Sequence, residues 1–228
     1  MRYAFTFLLA ATIALPVSAQ RISKVTFSGD GTVEAISLGF DEDVQLDLGT
    51  DGTIQKWGVD LYKGRTDNFR GKLYEYNGRV EYYPTTADSA FRGKVKAIGR
   101  TIFTYYASYE HDAFQGKIKT IGTLQLKYND QYTDEALKGK LAAIGSQAVT
   151  FYTSFDNTAF KGKLKSIGNT QVTYYNAIED AAFRGKIKSI GSMNYTYYSS
   201  YDRPELKGRF KSGSFLTTIN GMQFHIKN

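Results

Sequence analysis

The sequence contains no cysteine and only two histidines, His111 and His225, among its 228 residues. The missing cysteine excludes disulfides, thiolate metal sites and cysteine nucleophiles. The scarcity of histidine leaves little room for an imidazole metal centre. Stability has to come from packing and backbone pairing alone. No stretch beyond the N-terminal segment is apolar for long enough to make a transmembrane helix. A nucleophile elbow, a metal-binding histidine pair and any recognised nucleic-acid motif are also missing, which disfavours hydrolytic enzymes and DNA binding. A Ser-His-Asp site on His111 would occupy an acidic turn, where a solvated residue is the simpler reading. The acidic run Asp41-Glu42-Asp43 lacks the alternating oxygen-ligand spacing of a calcium loop. The sequence therefore assigns no catalytic residue, no metal site and no cofactor.

Met1 to Ala19 reads as a secretory signal peptide: Arg2 in a positive n-region, an apolar run from Ala4 to Leu15, and small residues at Val17-Ser18-Ala19 before Gln20. Secretion, a periplasmic location or the cell surface is the expected destination. Charge is uneven along the rest. Gln20 to Asp60 carries three basic and eight acidic residues, whereas Leu61 to Asn228 carries 25 basic and 14 acidic. A basic surface on the second part, facing something anionic, is one expectation of that asymmetry.

What dominates the chain is a repeat. AFKGKLKSIG from Ala159 recurs as AFRGKVKAIG from Ala90, AFQGKIKTIG from Ala113, ALKGKLAAIG from Ala136 and AFRGKIKSIG from Ala182. A degenerate copy starts at Asn68 and another at Glu205. The first glycine of the unit falls at Gly71, Gly93, Gly116, Gly139, Gly162, Gly185 and Gly208, a spacing of 22 once and then 23. In the copy from Ala90, Phe91, Gly93 and Val95 alternate with Arg92, Lys94 and Lys96, which predicts a strand with one apolar and one basic face. Ile98-Gly99 predicts a turn with glycine at positive φ. Ile102 to Tyr109 predicts a second strand, with Phe103, Tyr105 and Tyr109 on one face and Thr104 and Tyr106 on the other. Ile98 sits on the wrong face for strict alternation with Val95, so a bulge or the turn has to re-aim it.

The predicted fold is all-β: an antiparallel meander of tandem β-hairpin repeats forming an elongated twisted or curled sheet. Its expected parts are a signal peptide (1–19), an N-terminal hairpin cap (20–62), the repeat array (63–211) and a C-terminal capping hairpin (212–228). Both caps rest on turn signals: Gly29-Asp30-Gly31, Asp51-Gly52 and Asn220-Gly221, read as tight turns with positive φ at both central residues. His225 is expected on a strand surface. Sixteen to eighteen strands at about 4.8 Å would span roughly 80 Å if flat, so coiling or folding over is expected.

The unit resembles the MORN repeat, through Phe160-Lys-Gly162-Lys-Leu164 with Val172-Thr-Tyr174, and Phe183-Arg-Gly185-Lys-Ile187 with Tyr195-Thr-Tyr197. Ile-Gly stands where that family carries a mid-unit His-Gly-x-Gly. The resemblance covers about two thirds of the chain. It implies a non-enzymatic scaffold that contacts proteins or acidic lipid.

The candidate contact residues are a basic column and a tyrosine ladder. Lys94 and Lys96, Lys117 and Lys119, Lys163 and Lys165, and Lys186 and Lys188 are expected in rows, with Tyr106, Tyr152, Tyr175 and Tyr198 beside them. Cations interleaved with rings suit an acidic polysaccharide or lipid surface. The competing reading is structural: lysines on sheet faces prevent aggregation and cover neighbouring rings, and turn carboxylates neutralise them. Protein partners and self-association remain open, and nucleic acid is disfavoured. An outer-membrane β-barrel is the rival architecture. Against it stand short strands, a His-Ile-Lys-Asn terminus rather than an aromatic one, and a glycine that would face lipid.

Overall fold

The computed structural model describes residues 21–40, 43–61 and 72–227. The signal-peptide segment, Asp41 and Glu42, and the degenerate copy from Asn68 to Gly71 lie outside the described residues. Nineteen strands are described. Two hairpins come first, β1 (Arg21–Phe27) with β2 (Val33–Gly39) and β3 (Val44–Leu48) with β4 (Ile54–Val59). The array opens with β5 (Val80–Tyr82), followed by β6 (Val95–Ile98), β7 (Thr101–Tyr105), β8 (Ile118–Ile121), β9 (Leu124–Tyr128), β10 (Leu141–Ile144) and β11 (Gln147–Phe151). It continues with β12 (Leu164–Ile167), β13 (Thr170–Tyr174), β14 (Ile187–Ile190) and β15 (Met193–Asn194). The remainder is β16 (Thr196–Tyr197), β17 (Phe210–Ser212), β18 (Leu216–Ile219) and β19 (Met222–Ile226).

Strands β5 to β15 lie side by side in chain order as an eleven-stranded antiparallel meander, open at both edges and not closed into a barrel. Each repeat contributes one two-residue hairpin. Ile98 pairs with Thr101 across Gly99-Arg100, and Gly99 has φ +56°. Glycine at the first central position supplies the backbone that matches the strand twist of a type II′ hairpin.

Of the two devices that could re-aim Ile98, a bulge or the turn, the structure uses a bulge, and it is built into every repeat. Thr104 pairs with Thr120, but the next pair is Tyr105 with Ile118, so Lys119 has no partner across the ladder. The same skip falls at Lys96, Ala142, Lys165, Lys188 and Lys211. One extra residue turns a separation of three into a same-face pair. Ile118 and Ile121, Leu141 and Ile144, and Leu164 and Ile167 are all buried as a result.

The predicted first strand of the unit is shorter than its alternation suggested. Residues 90–93 form a turn, and the strand begins at Val95. The amides of Phe91 and Arg92 both donate to the Asp88 carbonyl, and Gly93 has φ +73°. That left-handed residue ends the helical turn, so Arg92, Lys94 and Lys96 do not share one strand face. The Asp51-Gly52 turn also differs from expectation. Only Gly52 has positive φ, and the Asp51 carboxylate accepts from the Thr53 amide at 3.0 Å. Asn220-Gly221 does have positive φ at both residues, as the tight turn requires.

The two terminal segments pair with each other. The second sheet has the order β18-β19-β1-β2-β3-β4, and β1 runs parallel to β19 with Val25 opposite Phe224. Its inner residues, among them Phe27, Ile36, Leu38, Leu46 and Phe224, share one buried cluster with Phe103, Leu126, Val172 and Ile190 of the array. The result is two layers around one core. The Leu141 amide donates to the Thr50 carbonyl at 2.8 Å, Asn220 Nδ2 donates to Thr170 Oγ1 at 3.2 Å, and the Phe40 and Phe103 rings meet at 6.4 Å. Each buried Phe, Leu or Ile contributes about 1.5–3 kcal/mol. The terminal sheet thus supplies the apolar partner that a single-layer meander lacks.

The core also contains two unsatisfied hydroxyls. Tyr195 and Tyr197 are buried, and their hydroxyls have no hydrogen-bond partner. Tyr195 occupies the slot filled elsewhere by Phe103, Leu126, Val149 and Val172, and it interrupts the strand between β15 and β16. Removing its hydroxyl relieves a buried donor of about 1–3 kcal/mol in desolvation cost. Tyr195→Phe is therefore expected to hold or raise the thermal midpoint, and a fall in midpoint would contradict this packing. Gly116 and Gly139 separate backbone strain from close approach. Both have φ near +70°, but a Cβ on Gly116 would lie 2.6 Å from the Ala90 carbonyl oxygen, whereas Gly139 would meet only the Lys117 ammonium at 3.8 Å. Gly139→Ala is expected to cost about 1–2 kcal/mol from the left-handed backbone alone. Gly116→Ala should cost measurably more, as read from denaturant midpoints.

Candidate ligand-contact surface

The predicted lysines fall into two sets with different work. Lys94, Lys117, Lys140, Lys163 and Lys186 precede the first strand of each repeat. Each Nζ donates to the glycine carbonyl of the next repeat, at Gly116, Gly139, Gly162, Gly185 and Gly208, over 2.5–3.0 Å. Each also lies 4.9–5.5 Å from a ring centroid, of Tyr105, Tyr128, Phe151, Tyr174 and Tyr197. Lys117 and Lys163 reach further, to the Asp51 and Asp30 carbonyls in the hairpin tips of the other sheet. Burial pushes all five ammonium groups below the ordinary lysine value. These cations staple repeat to repeat and layer to layer.

The second set occupies the bulges. Lys119, Lys165 and Lys188 lie 5.2–5.4 Å above the Tyr106, Tyr152 and Tyr175 rings, and Lys211 lies 5.3 Å above Tyr198. Lys119 pairs with Glu110 at 2.6 Å, Lys188 with Glu179 at 3.1 Å and Lys96 with Glu81 at 3.4 Å. The Tyr106, Tyr152 and Tyr175 hydroxyls donate to the Leu126, Val172 and Tyr195 carbonyls. In one repeat Ala142 takes the bulge and Asn129 the tyrosine slot, so cation and ring are replaced together. Beside these pairs the outer face carries hydroxyls matched across strands, such as Thr173 with Ser189 at 2.6 Å. The structure thus brings the predicted lysines and tyrosines together, but they face each other and the backbone.

A different set is left to the solvent. Tyr109, Tyr132, Phe155, Ile178 and Tyr201 recur at 23-residue intervals and are 83–97% exposed. Tyr109 does not join Phe103 and Tyr105 on the buried face, because β7 ends at Tyr105 and the chain turns. Each of the five is the third residue of a four-residue turn. In Ala107-Ser108-Tyr109-Glu110, the Glu110 amide donates to the Ala107 carbonyl at 3.1 Å and the Ala107 amide donates to the Glu110 carboxylate at 2.7 Å. Thr153 with Asp156, Asn176 with Glu179, and Ser199 with Asp202 close the same ring; at Tyr132 the Thr133 amide donates instead to the Asp130 carboxylate.

The preceding repeat fixes these turns from outside. Asp88 accepts from its own Ala90 amide at 2.8 Å and from the Ser108 amide, 20 residues on, at 3.1 Å. Asp134 does so with Ala136 and Ser154, Asn157 with Ala159 and Ala177, and Asp180 with Ala182 and Ser200. The residue bonded in the second repeat immediately precedes Tyr109, Phe155, Ile178 or Tyr201. His111 fills this slot in one copy, where its Nδ1 accepts from the Ala113 amide at 3.3 Å, so it is a turn-forming residue. The sequence did carry a signal for the row: a large apolar residue at a fixed period inside polar turns.

Charge around the row is compensated. The five turn segments 107–115, 130–138, 153–161, 176–184 and 199–207 hold ten carboxylates and five cations. The bulge lysines Lys119 and Lys188 lean back onto two of those carboxylates, Glu110 and Glu179. A separate groove of about 530 Å³, lined by Asp51, Tyr82, Lys94, Tyr105 and Lys117, opens where the β3–β4 tip meets the start of the array.

The stapling carboxylates are held below their ordinary range. Asp88 is lowered by the Ala90 amide and then by Ser108, Asp134 by Ser154, and Asp180 by Ser200 and the Ala182 amide. A depressed folded value contributes stability that is complete above the unfolded value, about 4, and is lost as pH falls through the folded one. The thermal midpoint is therefore expected to drop on acidification below about pH 4. Asn157 already does the same work uncharged. Asp134→Asn should keep the midpoint at neutral pH, whereas Asp134→Ala should lower it; equal midpoints for the two would contradict the staple. No protein-family model, no curated protein sequence and no solved structure matches the chain.

Proposed function

We propose that the chain is an exported, non-enzymatic scaffold with a structural or adhesive role, and that the turn-tip row is its contact surface. The observation that carries this reading is the row itself. Five large apolar side chains stand in water at one per repeat, and each is mounted on a turn hydrogen-bonded within itself or to the preceding repeat. Apolar residues exposed singly are ordinary, but these recur at one fixed position of every repeat, and that regularity is what supports reading them as one contact surface. A rigid mounting also lowers the entropy lost when a partner binds. Protein, polysaccharide and lipid surfaces all have the apolar patches such a row could meet.

Support for a non-enzymatic role comes from the polar groups. The recurring lysines, aspartates and His111 are engaged in staples and turns. The likeness to MORN scaffolds points the same way, as does an open two-layer sheet rather than a membrane barrel. The basic column is the second reading. Lys165 and Lys211 are exposed over the Tyr152 and Tyr198 rings, and neither makes an ion pair among the described residues, so they are the cations most open to it.

Retention on immobilised neutral and anionic polysaccharides and on acidic lipid vesicles, across a salt series, tests the two. The fourfold Tyr109, Tyr132, Phe155 and Tyr201→Ser variant is expected to keep its thermal midpoint, because those side chains bury almost nothing, and to lose retention at least tenfold. Lys165→Gln with Lys188→Gln is expected to keep it. The opposite pattern, with salt-sensitive retention lost by the lysine variant alone, would move the contact surface to the basic column.

A further inference from the structure

We infer that the row takes one chain of a neutral, β-1,4-linked polysaccharide, with each turn-tip ring stacked on every second sugar. The inference rests on the reading of the row as a contact surface and names its ligand.

Spacing is the first reason. Each repeat adds two strands to the meander. Neighbouring strands lie about 4.8 Å apart, so equivalent turn residues recur at roughly 10 Å. An extended β-1,4-linked chain alternates its faces, and it shows the same face once per disaccharide, over nearly that length. A row of single residues in register with the strands can therefore meet the same sugar face again and again. An α-linked helical glucan has no such repeat along a straight line.

Side-chain chemistry is the second. The C–H face of a pyranose ring is flat and apolar, and tyrosine and phenylalanine present flat apolar rings of matching size. The Tyr109, Tyr132 and Tyr201 hydroxyls add a donor and acceptor for sugar hydroxyls. Ile178 gives apolar contact without a stacking ring, so the series has one weak position between Phe155 and Tyr201.

Charge is the third, and it separates a neutral polymer from an acidic one. The turns carry twice as many carboxylates as cations, and Lys119 and Lys188 are paired back onto Glu110 and Glu179. That edge offers no excess of positive charge to an acidic chain, although the array as a whole is basic. Sheets twist from strand to strand, so the row turns along its length. A single soluble chain can follow it, and a flat crystal face cannot.

Affinity electrophoresis of the protein tests the inference in gels containing hydroxyethylcellulose, glycol chitin, dextran or carboxymethylcellulose. Retardation is expected with one or both of the neutral β-1,4 polymers, is expected to survive high salt, and should be absent with dextran. The fourfold Ser variant should lose it at least tenfold, and Ile178→Tyr should strengthen it. Sedimentation velocity on the same proteins keeps the outcomes apart. No retardation by either neutral polymer, together with self-association that the Ser variant abolishes, would overturn the sugar ligand and leave the row as a contact between copies of this chain. Retardation by carboxymethylcellulose alone, abolished by salt and unchanged in the Ser variant, would overturn both the ligand and the row.

Discussion

The ammonium-to-carbonyl contact between repeats is the constraint on which the array depends. A lysine ahead of each first strand donates to a glycine carbonyl 22 residues later. That carbonyl is presented by a left-handed glycine, and the turn packs so closely on the previous one that a side chain at Gly116, Gly185 or Gly208 would strike the carbonyl of an alanine in the preceding copy. The lysine stem lies over a buried tyrosine or phenylalanine, so one residue satisfies a backbone acceptor, covers a ring and fixes the offset between units. A cation half withdrawn from water is costly unless it is bonded, and here it is bonded in every full copy. This explains why the Gly-Lys pair recurs so faithfully while neighbouring positions drift.

Two further devices follow the same offset. The lysine bulge lets two isoleucine-type residues three apart enter one core, and it places a second ammonium over the ring just past the end of the preceding strand. Carboxylate or amide staples join turn to turn along the edge. Adjacent repeats are thus tied near the start of each first strand, at its bulge and at its turn. Repeat proteins are stabilised by their nearest-neighbour interfaces, and here those interfaces are polar at the rim and apolar inside. The terminal sheet adds what neighbours cannot, an apolar layer opposite the array, interlocked through Lys117, Lys163 and Asn220.

The contact surface is a by-product of this rigidity. A turn closed on itself and pinned by the copy before it can carry a large apolar residue at its tip without collapsing onto the sheet. The basic and aromatic column attracts attention in the sequence because its residue types recur, yet recurrence there reflects the staples. Period-two alternation, carried past the end of a strand, puts Tyr109 with Phe103 and Tyr105. The structure ends β7 at Tyr105, and the same alternation that correctly buries Phe103 and Tyr105 then fails for Tyr109.

Local periodicity determined much on its own. The 23-residue unit, the hairpin at Ile98-Gly99, the buried slots and the need for a bulge or the turn to re-aim Ile98 follow from alternation and from glycine's access to positive φ. These are properties of a few consecutive residues. Three matters were decided only by the tertiary structure. One is the helical turn at 90–93, whose alternation mimics a strand until Asp88 draws in its amides. Another is the pairing of β1 with β19, which joins residues about 200 apart and has no local signature. The last is which lysines face solvent, because the acceptors that occupy them lie on another repeat or another sheet. Their chemistry was written in the sequence, but only the folded chain could say whether it was already satisfied.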